Sequence, residues 1–306
     1  MARILFDRIK TVELVKSASV HYPENLQKAL ACLYTEKGYS AAPKSSAEAK
    51  AAGVKTFNGG VVALVDLRSV GVDGGDVIFG DLVESRYLAG QAMRDYVEAN
   101  PGMIEDDLLR LSPKHLHVSL IAPVKVGGEY FLLSQIKGDA LGEGQIHTGL
   151  IAGMVDAKYY GHDNPLVAAL RQETSEELGL NLDDLGATSA VFLMDESELG
   201  YLNFAHVARR VSMDSVLESY DASVRDKLGG DEKLEVNGVS LLPVAGVALV
   251  PLEGAHGVRA VKCYTPSESG LVSVVEDREV RPYTAATIEY LQKPGNINFL
   301  LEKAGF

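Results

Sequence analysis

Three glutamates, Glu173, Glu176 and Glu177, stand close together in the segment DNPLVAALRQETSEELGL, residues 163–180. On a helix, which turns about 100° per residue, they project within an arc of roughly 100°. Val167, Leu170, Thr174 and Leu178 share the adjoining face, so the carboxylates lie beside a seam that is to be buried. Like charges three and four residues apart repel by about 0.2–0.5 kcal/mol per pair, and by more where an apolar neighbour limits solvation. Something has to compensate them. Mg²⁺ is suited to do so, because it takes oxygen ligands, keeps several waters and bridges carboxylates to substrate phosphates. Solvated helix faces carry similar charge patterns, so the triplet gains its meaning from what surrounds it.

The surroundings are specific. Asn164 is a good N-cap, Pro165 suits the first helical position, and Gly179 stands where a left-handed C-terminal cap belongs. Upstream, IHTGLIAGMVD reads as a strand passing through Gly153, followed by a polar loop containing Tyr159, Tyr160 and His162. Strand, loop, capped helix and carboxylates thus follow one another in that order.

The stretch QETSEELGL, Gln172 to Leu180, resembles the end of the Nudix signature: a glycine, five residues, Glu, seven residues, then Arg-Glu-apolar-x-Glu-Glu-x-Gly-apolar. Glu173, Glu176, Glu177, Gly179 and Leu180 match, Thr174 takes the apolar place, and Ala169 falls where the family has a small residue. Two positions depart from it. The family's arginine falls on Gln172, and Arg171 points about 100° away around the helix. The signature's first glutamate falls on Asn164, and with Gly153 as its glycine ten residues separate the two, an insertion around AKYYGHD.

The resemblance implies an α/β fold, a Nudix-type α/β/α sandwich with a mixed sheet. It also implies Mg²⁺- or Mn²⁺-dependent cleavage of the diphosphate linkage in a nucleoside diphosphate derivative. By position Glu173, Glu176 and Glu177 would be catalytic residues and metal ligands, and the Gly153 carbonyl would be a further ligand. Glu173 is nearest the role of general base, with Glu196, Glu198, Glu232 and Glu235 as alternatives from later loops. Family habit adds a homodimer, which one sequence does not display.

Elements must position these groups. HLHVSLIAPVKVGGEYFLLSQIKG, residues 115–138, reads as two strands joined at Gly127 and Gly128; LNFAHVARR and VAGVALVPLEG supply later strands, and RPYTAATIEYLQ a terminal helix. Before them come a helix over residues 23–37, a small-residue and lysine stretch over 41–53, two strands around VGVDGGDVIFG, and a helix over 85–100 stopped by Pro101 and Gly102. The length suits two domains, read as an α+β unit over residues 1–112 and the Nudix-like unit over 113–306. FNGG, two strands and the SRYLAG helix resemble an N-terminal extension of some Nudix proteins, which tilts the substrate toward nucleotide sugars.

Bulk properties narrow the classes. With 42 Asp and Glu against 29 Lys and Arg, the formal net charge is −13, which disfavours a nucleic acid partner and favours a small phosphate ligand met through a metal. Cys32 and Cys263 form no metal or disulfide pattern and read as buried thiols. No signal segment or membrane-length apolar run is present, so a cytoplasmic protein without a membrane partner is expected.

Other features weigh less. His115 and His117 share a strand face without a recognisable third metal ligand, and read as ordinary strand residues. His162 reads as a loop histidine, Tyr159 and Tyr160 as either a stacking surface for a base or an anchor for the loop, and Arg209 and Arg210 as surface charge. Walker, dinucleotide-binding and nucleophile-elbow motifs are lacking. The rival to a hydrolase is a catalytically weak Nudix-like nucleotide-binding or regulatory protein, with an isomerase on the same scaffold as a third class.

Overall fold

The structure, a computed structural model, describes residues 3–17, 24–52, 58–100, 113–138, 145–147, 149–196, 200–209, 211–228, 235–236, 239–240, 244–252, 261–267, 270–280, 282–291, 293 and 295–306. Strands β1 (Arg3–Phe6) and β2 (Ile9–Lys16) precede helices α1 (Glu24–Glu36) and α2 (Ser46–Ala52). The long hairpin of β3 (Gly60–Val72) and β4 (Gly75–Arg86) runs directly into α3 (Tyr87–Ala99). Then come β5 (Lys114–Val126), β6 (Glu129–Lys137), β7 (Ile151–Met154) and α4 (Pro165–Leu178). Beyond them lie β8 (Ala190–Glu196), β9 (Tyr201–Val207), α5 (Met213–Leu228) and the two-residue strands β10 (Glu235–Val236) and β11 (Val239–Ser240). The chain closes with β12 (Val244–Pro251), β13 (Val261–Ser267), β14 (Gly270–Glu276), α6 (Pro282–Leu291) and α7 (Asn296–Ala304).

The spine is β5. Along one edge it pairs in parallel with β9, from His115↔Tyr201 to Ile121↔Val207. Along the other it meets three strands in succession: β3 at Ala63↔His115, β7 from His117↔Met154 to Leu120↔Ile151, and β6 from Ala122↔Leu133 to Val126↔Glu129. The β5–β6 turn needs two left-handed residues to match the strand twist, and Gly127 (φ 60°) and Gly128 (φ 95°) supply them. The sheet is mixed, with order β1-β8-β9-β5-β6-β12-β13-β14 and with β2, β3 and β4 joined through β3.

Alternation along β5 sends its side chains to two cores. Leu116, Val118, Leu120 and Ala122 pack with Leu166, Ala169, Leu170 and Leu178 of α4 and with Val216, Tyr220 and Val224 of α5. Ile121 packs on the opposite face, with Leu132, Ile136, Val207, Ala248, Leu291 of α6 and Leu300 of α7. The chain is therefore an α/β fold with helices on both faces of a large mixed sheet, as the sequence predicts. Strands from either side of residue 112 share that sheet, through β1–β8 and β3–β5; residues 101–112 themselves lie outside the described ones.

One expectation needs correction. Cys263 is buried, but Cys32 is exposed. Helix α1 buries Leu26, and a residue six positions later lies about 240° around the helix, toward solvent. Among the described residues no helix is long and apolar enough to cross a membrane.

Candidate functional site

Helix α4 is set in place by its ends. The Asn164 side chain accepts a hydrogen bond from the Val167 N–H at 3.1 Å, Pro165 begins the helix, and Gly179 closes it at φ 68° with its N–H on the Ser175 carbonyl. Leu166, Ala169, Leu170 and Leu178 are buried, and Thr174 joins them at no polar cost because its hydroxyl donates to the Leu170 carbonyl at 2.7 Å. With the seam so fixed, Glu177 must turn onto the sheet, Glu173 lies at the margin, and Glu176 faces solvent.

Glu177 is only 6% exposed. A lone buried carboxylate would be costly, but the β6 side chains facing α4 supply its partners. Lys137 Nζ donates to Glu177 Oε1 at 2.9 Å, Gln135 Nε2 donates to Oε2, and the Ala152 N–H donates to Oε2 at 3.5 Å. Lys137 Nζ also donates to the Ala152 carbonyl at 3.3 Å. Both ends of this ion pair are shielded, at 7% and 6% side-chain exposure.

Glu173 has no such dedicated cation. Its carboxyl is pushed up to about 8, first by burial, then by the negative charge of Glu177 and, more weakly, of Glu176; Lys137 and Lys158 oppose this only in part. It lies directly on the backbone of β7 at Gly153, where a Cβ would overlap the carboxyl group. Gly153, opposite Val118 in the sheet, thus provides the space that Glu173 occupies.

Gln172, which departs from the Nudix signature, has side-chain partners on both sides. Gln172 Nε2 donates to Glu176 Oε1, and Gln172 Oε1 accepts from the Tyr159 hydroxyl, so an amide links the loop before α4 to the outer carboxylate. Arg171 is engaged elsewhere, with Asp183 at 2.9 Å. The loop is tied to the N-terminal strands: the Tyr160 hydroxyl donates to the carbonyls of Ser17 at 2.8 Å and Leu82 at 3.4 Å, and Lys16 Nζ donates to the Gly161 carbonyl at 3.1 Å. Of the two readings for this tyrosine pair, Tyr160 takes the anchor and Tyr159 holds Gln172.

The donor chemistry suits a hard divalent cation: carboxylates, a strand carbonyl, and a carboxyl group that burial and, next, the neighbouring negative charge keep protonated. Among the described residues, however, no set of three or more His, Cys, Asp or Glu already stands close enough to hold a metal ion. The hydrogen bonds give the reason, since Lys137 holds Glu177 inward while Gln172 engages Glu176 at the exposed margin. Oxygen donors of the right kind are assembled, and closure of a metal shell would require side-chain movement.

The remaining candidates are dispersed. His115 and His117 lie along one face of β5 beside Tyr201, with His117 stacked on it at 4.5 Å. His162 is exposed, edge-on to Tyr159 at 5.2 Å. Arg209 is exposed and its backbone N–H bonds the Leu185 carbonyl, while Arg210 lies outside the described residues. So do Glu198 and Glu232, and the side chains of Glu196 and Glu235. Sequence reasoning passed over Lys137 and Gln135. Their signal was two polar residues at alternate positions in FLLSQIK, on the same strand face as Leu133.

No protein-family model and no curated protein sequence matches the chain. Among solved structures it is similar to the crystal structure of a MutT/nudix family protein from Enterococcus faecalis, at 9% identity and a TM-score of 0.28 over 69% of this chain and 73% of that one. A superposition that loose carries no argument about function.

Proposed function

We propose that this protein is a divalent-cation-dependent hydrolase that cleaves the diphosphate linkage of a nucleoside diphosphate derivative, of the kind catalysed by the Nudix proteins that QETSEELGL resembles. The observation that carries this reading is Glu173: a carboxyl on Gly153, pushed up to about 8 by burial and two neighbouring glutamates. Such a group sits where positive charge is wanting. Glu173, Glu176 and Glu177 would hold Mg²⁺ or Mn²⁺, which would neutralise phosphate oxygens and make a bound water easier to deprotonate.

The chain's own residues have separable tasks. Glu173, once deprotonated, would accept a proton from the attacking water. Gln172 fixes the Glu176 carboxylate, and Tyr159 fixes Gln172. Because Tyr160 and Lys16 tie the same loop to the end of β2, this N-terminal strand would help shape the substrate side of the site. That participation, together with the FNGG and SRYLAG resemblance, makes a nucleotide sugar the substrate class to try first.

The test is chromatography of products from nucleoside diphosphate sugars, dinucleotides and nucleoside triphosphates, incubated with Mg²⁺, Mn²⁺ or chelator. Glu176→Gln, an exposed change of surface type, is expected to lower metal-dependent turnover by about tenfold or more, about 1.4 kcal/mol of transition-state stabilisation, with an unchanged fold. Turnover within about twofold of wild type would remove Glu176 from the site. The second reading, a catalytically weak nucleotide-binding protein, draws on the Lys137–Glu177 pair; nucleotide binding without turnover of any substrate would select it.

A further inference from the structure

We infer that Lys137 is the resident cation of this carboxylate cluster, and that a divalent ion engages Glu177 only by displacing it, so that Lys137 sets how tightly the protein binds metal. This rests on the metal-dependent reading of the site. The ammonium of Lys137 is held by Glu177 Oε1 at 2.9 Å and the Ala152 carbonyl at 3.3 Å. A carboxylate and a strand carbonyl are the hard oxygen donors that Mg²⁺ or Mn²⁺ would take. The second oxygen of Glu177 is spoken for as well, by Gln135 and the Ala152 N–H.

Three features separate this arrangement from an ordinary surface lysine. Lys137 is 6% exposed, so its charge is not dispersed into water. It lies on β6, facing the same helix that carries all three glutamates, and its field reaches Glu173 as well as Glu177. Two cations cannot share one carboxylate oxygen in a shielded site without strong mutual repulsion. Metal binding at Glu177 therefore requires breaking a buried pair, whereas removing the ammonium leaves the Glu177 carboxylate and the Ala152 carbonyl as oxygen donors without a resident cation.

The experiment uses Mn²⁺ alone, added to full-length chelator-treated protein, with free Mn²⁺ read by electron paramagnetic resonance and folding read by thermal melts. Lys137→Met is expected to bind Mn²⁺ at least about tenfold more tightly than wild type, a change of about 1.4 kcal/mol, and to gain more melting temperature on Mn²⁺ addition. Lys137→Arg, which keeps the charge, is expected to stay near wild type. Lys137→Gln decides by the same criteria should the methionine variant fail to fold. Equal Mn²⁺ affinity in wild type and the neutral variants overturns the role of Lys137 and leaves the metal-dependent reading intact. No Mn²⁺ binding by any of these proteins overturns both.

Discussion

Glu177 and Glu173 stand about one helical turn apart on α4, the first buried and the second half-buried, and they are stabilised by opposite means. At the inner end Glu177 meets a lysine, an amide and a backbone N–H, and its charge is matched inside the protein. At the outer end Glu173 rests on a bare glycine, hemmed in by two other glutamates, and holds its proton up to about pH 8. One end is electrostatically complete and the other is waiting for charge. In a like-charged cluster these are the two available solutions, a partner within the chain or neutralisation by proton or metal. Their coexistence on one helix distinguishes this surface from a solvated acidic face.

Breaking the inner end has the largest expected effect. Glu177→Leu strands the Lys137 ammonium in a shielded environment and should cost about 3–5 kcal/mol in urea denaturation. Lys137→Met combined with Glu177→Leu should recover most of that loss, because the pair is then replaced by apolar groups. A single substitution no more harmful than the double one would show that the inner pair is not a closed unit.

The outer end is perturbed next by filling its space. Gly153→Ala drives a methyl group into the Glu173 carboxyl, and should cost about 1–3 kcal/mol, as overpacking does, while displacing the carboxyl from its seat. Unfolding curves check the first effect and metal-dependent turnover the second.

A pH series sharpens the contrast without mutating the inner pair. Glu173 has a folded value near 8, above its usual value of 4.5, so the unfolded chain releases this proton first as pH rises. The stability associated with the protonated group is complete below about pH 4.5, declines through the interval, and is lost above about 8, by at most about 1.4 kcal/mol per pH unit. The charges facing it are Glu176 and Glu177 from α4, Lys137 from β6 and Lys158 from the loop. Metal-free wild type should therefore lose stability between pH 5 and 8, and Glu173→Gln should remove most of that slope. A smaller effect is expected at the loop: Tyr160→Phe loses the hydroxyl bond to Ser17 and should cost about 1 kcal/mol.

Local signals made much of this arrangement legible. Asn164 and Gly179 mark the ends of α4 because capping is written within a few residues, and Gly127–Gly128 marks its hairpin for the same reason. The carboxylates share a helix, so their spacing alone brings them together. Lys137 reaches Glu177 only after β6 is laid beneath α4, and no local pattern in either element names the other. The pairing of β1 with β8 and the tether from Tyr160 to Ser17 are equally non-local, so residues 1–112 read as separate although their strands enter the common sheet. Gln172, read in the sequence only as a departure from the Nudix signature, bridges Tyr159 and Glu176 in space.

The most direct measurement is a phosphorus-31 NMR time course of a nucleoside diphosphate sugar with wild-type protein and Glu173→Gln, in Mn²⁺-free buffer with Mg²⁺ and again with chelator. The account predicts that the diphosphate resonances give way to monophosphate signals only for wild type with Mg²⁺, and that Glu173→Gln, which keeps the shape of the protonated carboxyl, is folded and inactive. Cleavage that survives in chelator, or that proceeds unchanged in the Glu173→Gln protein, would contradict it.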